Sequence, residues 1–539
     1  MPWQFWMASG ITMAIAGLVI YKSINRPYDI VPDQDLLWLS EALRLYRGAA
    51  TTYIDHPGAL WTLTDLFNLN FSQRLGLIHY TIGQGINIAD AETIVRITRA
   101  ENILVSSLTL ISLWPIARWI GLDRNRSMIW IILLSTSSGF LWSLVQIRHE
   151  MASILFASLF LNLCYCSQQL GSSKKYWMSL LAWILAIASI MLAMYCKIQI
   201  ILIFPIIIIS LIAIQPSTFR RITRQSAGRL ICSNPVESTV AAISLTATIA
   251  LVTRYTSEQG YALDPRSAGF WIILNSTLST AGLILASYPN QGQRKNPRAL
   301  LPTIRNCILI ISPVTLQLFF AAILFRGSWT AGWSGTVFRA PTEIFGSRGL
   351  YYSGGNEAVK NGLQIESVSQ SLSHRLDETF ALPSSITLLL FSVIAATIVV
   401  YFFLEYQHLQ STQKLQERHS HKPSLGILLA LLAVAASILA NSARNQNFYA
   451  IYIAMPSIFI VLFLVSWPLN MLSLQRIIRT ISLLLILAAA LRSSWNIFEL
   501  DSFTAFDHYG TLCYGQHMDI EMRQTSIGQC QNFKLEVKS

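Results

Sequence analysis

Apolar stretches of about 20 residues, the length a helix needs to cross a bilayer, recur from one end of this chain to the other. They lie near 3–21, 101–121, 127–145, 151–168, 177–195, 198–214, 236–253, 268–287, 304–325, 385–404, 424–440, 450–468 and 479–493, about thirteen spans in all. Charge is too scarce to give such a chain a water-facing shell. Only 12% of the 539 residues are charged, against about 25% in soluble domains, while 53% are hydrophobic. The expected class is an all-α polytopic membrane protein. The first run, Trp3–Tyr21, has neither a basic flank ahead of it nor an A-x-A cleavage pattern, so it reads as a retained helix.

A net charge of +12 suggests a nucleic-acid binder until the charges are located. Arg118, Arg124, Arg126, Lys174, Lys175, Arg220, Arg221, Arg224, Arg229, Arg294, Lys295, Arg298, Lys414, Arg418, Lys422, Arg476 and Arg479 occupy alternate loops, and the short loops of the other side hold far fewer, Arg148, Arg254, Arg266 and Arg444. This is the positive-inside pattern, so nucleic acid is excluded as a partner. The N-terminus is then expected in the cytoplasm. Loop 22–100, loop 326–384 and the C-terminal tail are expected outside, with Lys22 and Arg26 outvoted by the later loops. The units are 1–100 (first span and outer loop), 101–325 (transmembrane core), 326–384 (second long outer loop), 385–493 (later spans) and 494–539 (tail). Of seven cysteines, Cys513 and Cys530 fall in the tail, where an oxidising compartment would allow either a disulfide or two free thiols.

The first outer loop has a pattern of its own. In 34–47, Leu36, Leu39, Leu43 and Tyr46 share one helical face, Glu41 and Arg44 the other, and Gly48 follows as a C-cap. This predicts an interfacial helix on the membrane, with Ala59–Phe71 a second candidate. Loop 326–384 mixes aromatics, glycines and acids at a length that suits function. No internal repeat of the kind common in secondary transporters is present.

Five polar patches fall on the expected outer side. Asp33 and Asp35 come first. On extended backbone, residues two apart share a face, so both carboxylates can point into one cavity. Asp33 reads either as a helix N-cap or as a general base, and a carboxylate near a partly desolvated interface suits the second role. Asp55-His56-Pro57-Gly58 is a turn whose Asp55 and His56 are candidates to line the same cavity. Arg148, His149 and Glu150 stand together at a helix mouth. There Arg148 and His149 suit a phosphate and Glu150 would orient them. Lys197 and Gln199 sit between two apolar runs, where a lysine either snorkels or meets an anion. Arg444, Asn447 and Tyr449 form another outer junction suited to a phosphate or a sugar, or simply to a solvated turn.

Taken in order, these motifs resemble the GT-C superfamily of membrane glycosyltransferases, in particular the branch of protein O-mannosyltransferases and lipid A aminoarabinose transferases. Pro32-Asp33-Gln34, the helix 34–47, Gly48 and His56-Pro57-Gly58 are similar to that family's Asp-Glu motif, juxtamembrane helix, glycine and Pro-Pro turn. Arg148-His149-Glu150 resembles its Arg-x-Glu, and Asn447-Phe448-Tyr449 its later His-Tyr segment. Gln34 stands where the family has Glu, and Gly58 where it has proline. The resemblance implies a GT-C-type bundle and aligns Asp33 with the catalytic Asp, with Asp35 the alternative. It implies transfer, with inversion, from a polyprenyl-phosphate-linked sugar to a hydroxyl of a lipid, glycan or protein acceptor. No metal is implied, although Asp33 and Asp35 could hold a divalent cation. The expected location is the bacterial inner membrane, with the C-terminus periplasmic. Two other readings stay open. One is a transporter or flippase of lipid-linked saccharides. The other is a polysaccharide polymerase or ligase using Arg326, Arg339, Arg348 and Arg375.

Overall fold

A computed structural model describes residues 2–24, 35–49, 59–82, 86–119, 124–136, 149–173, 175–196 and 304–316, with isolated positions in 140–147, 236–250 and at 278. The described part is helical throughout, with no strand: α1 Trp3–Ser23, α2 Asp35–Tyr46, α3 Ala59–Arg74, α4 Ile88–Trp119, α5 Arg124–Ser135, α6 His149–Ser172, α7 Tyr176–Cys196 and α8 Ile304–Leu316. Four of these are long and apolar enough to cross a membrane, over Trp3–Tyr21, Ala89–Arg118, His149–Gly171 and Tyr176–Cys196.

The helices are held by two buried clusters, one at each level of the bundle. Ala8, Ala16, Ile103, Leu110, Trp114, Trp130, Ile131 and Phe140 join α1, α4 and α5. Gln4 Nε2 donates to Asn125 Oδ1 at 3.0 Å, and Phe5 meets Trp114 edge-on at 5.5 Å. The beginning of α1 therefore shares an end of the bundle with the Arg118/Arg124 connection. Helices α6 and α7 form an antiparallel hairpin closed by Lys175 N donating to Leu170 O at 2.9 Å. Small hydroxyl residues let them approach: Ser153 Oγ donates to Ala193 O, and Ser167 Oγ to Ser179 O. Gly171 leaves room for the guanidinium of Arg305, which would lie 2.9 Å from a Cβ there. Arg305 also sits over the Tyr176 ring, while Trp183 Nε1 donates to Leu309 O and Ser312 Oγ. Helix α8 therefore runs parallel to α7.

Helix α4 begins at Ile88, thirteen residues ahead of the expected span at 101. Its start is fixed by a cap: Asp90 N donates to Asn87 Oδ1 at 2.8 Å, and Asn87 Nδ2 returns a bond to Asp90 Oδ2 at 2.7 Å. His79 N also donates to Asp90 Oδ2, tying the preceding loop to the helix. Thus the segment between the first two membrane-length helices holds two helices, and the opening turns of α4 precede the expected span.

One expectation about this segment changes, and its second candidate helix, Ala59–Phe71, forms as α3. Helix α2 forms as expected, but it does not expose one polar face. Residues 38–43 are all buried, Glu41 included, and Arg44 Nε reaches Glu41 Oε1 at 3.7 Å. The helix lies under other protein, so periodicity alone misassigned Glu41. Helix α3 is inverted. Its buried face carries Thr62, Asp65, Asn68 and Ser72 beside Trp61 and Leu69, whereas Leu63, Phe67 and Phe71 are exposed.

Candidate functional site

The second cluster gathers elements that lie far apart in sequence. Trp38, Leu39 and Leu43 of α2, Trp61 and Leu69 of α3, Ile94 and Val95 of α4, Ile147, Ala152 of α6 and Cys196 of α7 pack as one buried unit. These are the first turns of α4 and α6 and the last residue of α7, so the cluster marks one end of the bundle. It is the end opposite the Gln4–Asn125 contact.

Trp38 is the centre of this junction and is fully buried. Its indole N–H donates to Ile147 O at 3.4 Å, and its ring meets His149 edge-on at 5.1 Å. It therefore grips the two residues that flank Arg148 in sequence. His149 opens α6 and lies beside Glu150, with Nε2 3.8 Å from Oε1. Both side chains are sealed from solvent, at 0% and 1% exposure. A carboxylate in the first turn also complements the positive end of the helix dipole. Asp35 is the first residue of α2, one turn ahead of Trp38. Asp33, Asp55, His56, Arg148, Lys197, Gln199, Arg444, Asn447 and Tyr449 lie outside the described residues, as does loop 326–384. Two of them adjoin cluster members in sequence: Arg148 directly after Ile147, and Lys197 directly after Cys196.

No protein-family model matches the sequence. No curated protein matches it either.

A polar network between α3 and α4 was not foreseen. Asn68 Nδ2 donates to Glu101 Oε2 at 2.7 Å and to Thr98 Oγ1 at 3.1 Å, and Thr98 Oγ1 donates to Asp65 Oδ1. Arg99 is buried alongside on α4. The sequence carried a signal for it. Asp65, Asn68 and Ser72 recur at helical spacing in a segment whose other face is Leu63, Phe67 and Phe71. Among the described residues, no group of three or more His, Cys, Asp and Glu is placed to hold a metal ion.

Proposed function

We propose that this chain is an integral-membrane glycosyltransferase that takes a sugar from a polyprenyl-phosphate donor at the outer face of the membrane. One observation carries the reading: a single buried cluster joins the helix that opens with Asp35, the residue before Arg148 and the residue before Lys197, and its Trp38 meets His149 edge-on. A carboxylate and cations from distant parts of the sequence are what such a transfer needs in one place. Asp33 or Asp35 takes the proton from the acceptor hydroxyl. The hydroxyl oxygen bonds to the anomeric carbon as the bond from that carbon to the lipid phosphate oxygen breaks on the opposite face. Arg148, Lys197 and Arg444 hold the departing phosphate and offset its growing charge, the interaction that usually contributes most in such sites. His149 joins Arg148 in holding the phosphate, and Glu150 orients them. The fold in this reading is a GT-C-type bundle in a bacterial inner membrane, with the N-terminus cytoplasmic.

The buried Asp65 and Arg99, with the half-buried Glu101, favour a second reading, transport of the lipid-linked saccharide, because ionisable groups inside a bundle often mark a pathway. The rest of α4 weighs against it. From Asn102 to Ala117 there is no ionisable residue, so on this helix the charges stop near one end.

Substitution separates the two. In purified full-length protein, Asp33→Asn and Asp35→Asn are assayed separately for transfer from a panel of polyprenyl-phosphate hexoses and pentoses, and for donor binding. One of them is expected to lower transfer at least ~100-fold, the size of a lost general base, with binding retained. Full transfer by both variants, and by the double variant, rules the mechanism out.

A further inference from the structure

Resting on the transferase reading, we propose that Trp38 is a positioning residue that fixes the opening of α2, and with it the Asp35 backbone, against the start of α6. The geometry is a two-point grip. The indole N–H holds the carbonyl of Ile147 at 3.4 Å, and the ring holds the edge of His149 at 5.1 Å with the planes 89° apart. The two points lie on either side of a single residue, so Trp38 fixes both the position and the direction of the chain entering α6. Trp61 and Leu69 of α3 and Ala152 of α6 belong to the same buried cluster, in which Trp38 is fully enclosed. On α2, Trp38 stands three residues after Asp35, and positions three apart on a helix are neighbours along one side. Movement at Trp38 therefore carries directly to the first turn. Trp38 itself is sealed from solvent and meets no substrate, so it acts through the placement of others.

The test uses full-length protein in lipid nanodiscs with the variants Trp38→Ala and Trp38→Phe. Hydrogen exchange is followed in 35–46 and in 147–152, and kcat and KM are measured for polyprenyl-phosphate sugars. Trp38→Ala is expected to speed exchange in both segments ~10-fold or more, as local opening becomes easier. It should lower kcat about 100-fold, the size expected when reacting groups are displaced by about 1 Å, with KM within about threefold. Trp38→Phe keeps an aromatic ring against His149 and loses the bond to Ile147, so it should recover about tenfold in kcat. Unchanged exchange in both segments overturns the proposal, as does a rise in KM with kcat intact. If Trp38→Ala does not fold, the Phe variant decides: exchange faster in 147–152 supports the grip, and unchanged exchange overturns it. A wild-type chain that transfers no sugar from any donor would defeat the transferase reading instead, while the exchange measurements would still judge the grip.

Discussion

Gly48 ends α2 with φ at +75°, a backbone region that a side chain disfavours. Its N–H donates to Leu45 O at 2.9 Å, and that of Ala49 to Arg44 O at 2.9 Å, which captures the last carbonyls of the helix. Gly76 closes α3 with φ at +69° and the same pair of bonds, to Gln73 O and Ser72 O. A Cβ at Gly48 would meet nothing within 4 Å. Gly48→Ala is therefore a clean measure of backbone strain and should lower stability by about 1 kcal/mol. Gly48→Asn should lose less, because asparagine tolerates this conformation better. Thermal unfolding of the two variants in detergent checks the order; equal stability of all three proteins would show that the turn relaxes. This cap was legible in the sequence because it depends on the residue's own geometry. The burial of Glu41 was not, because it depends on the packing of α2 against α3 and α4, which only the fold brings near.

At the scale of elements, α3 shows why charge pattern can mislead. In water its exposed side would be polar and its inner side apolar. Here the polar side is inward, bonded to α4 through Asn68, Thr98, Asp65 and Glu101. The outward side carries Leu63, Phe67 and Phe71, continued past the helix by Leu75 and Leu77, with Phe67 and Phe71 stacked at 5.7 Å. Hydrocarbon is the solvent in which this arrangement leaves no face poorly matched. A photo-crosslinking benzoylphenylalanine at Phe67 or Phe71, in protein held in nanodiscs, should give adducts with lipid chains. The same group at Arg96, 45% exposed on the opening turns of α4, should give far fewer. Adducts with peptide at Phe67 and Phe71 would mean that protein covers the stripe. The start of α4 at Ile88 was also within reach of the sequence. Asn87-Ile88-Ala89-Asp90 is a capping pattern, but hydropathy counts only the apolar part of a helix and so placed the boundary at 101.

For the whole molecule, the question is which end faces which side. The structure sorts the chain into two ends without reference to charge. One holds the starts of α1, α5 and α8, the turn between α6 and α7, and the end of α4. The other holds α2, α3, the starts of α4 and α6, and the end of α7. Arg118, Arg124, Lys175 and Arg305 belong to the first end, and Arg44, Arg47, Arg74, Arg96 and Arg99 to the second. Helix packing and charge bias are independent constraints, since one comes from side-chain shape and hydrogen bonding and the other from membrane insertion. The charge bias of the short loops predicts that the second end, with the candidate site, lies outside, although that end carries arginines of its own. Lys22, which closely follows the first span, runs against the bias and gives the reporter experiment its point. An alkaline phosphatase fusion truncated after Ile82 should be active in the bacterial periplasm, and a green fluorescent protein fusion after Ser173 should fluoresce in the cytoplasm. If both reporters read the reverse, the positive-inside vote fails for this chain. Asp33, Asp35 and Arg148 would then work from the cytosolic leaflet, and a donor presented at the outer face could not be their substrate.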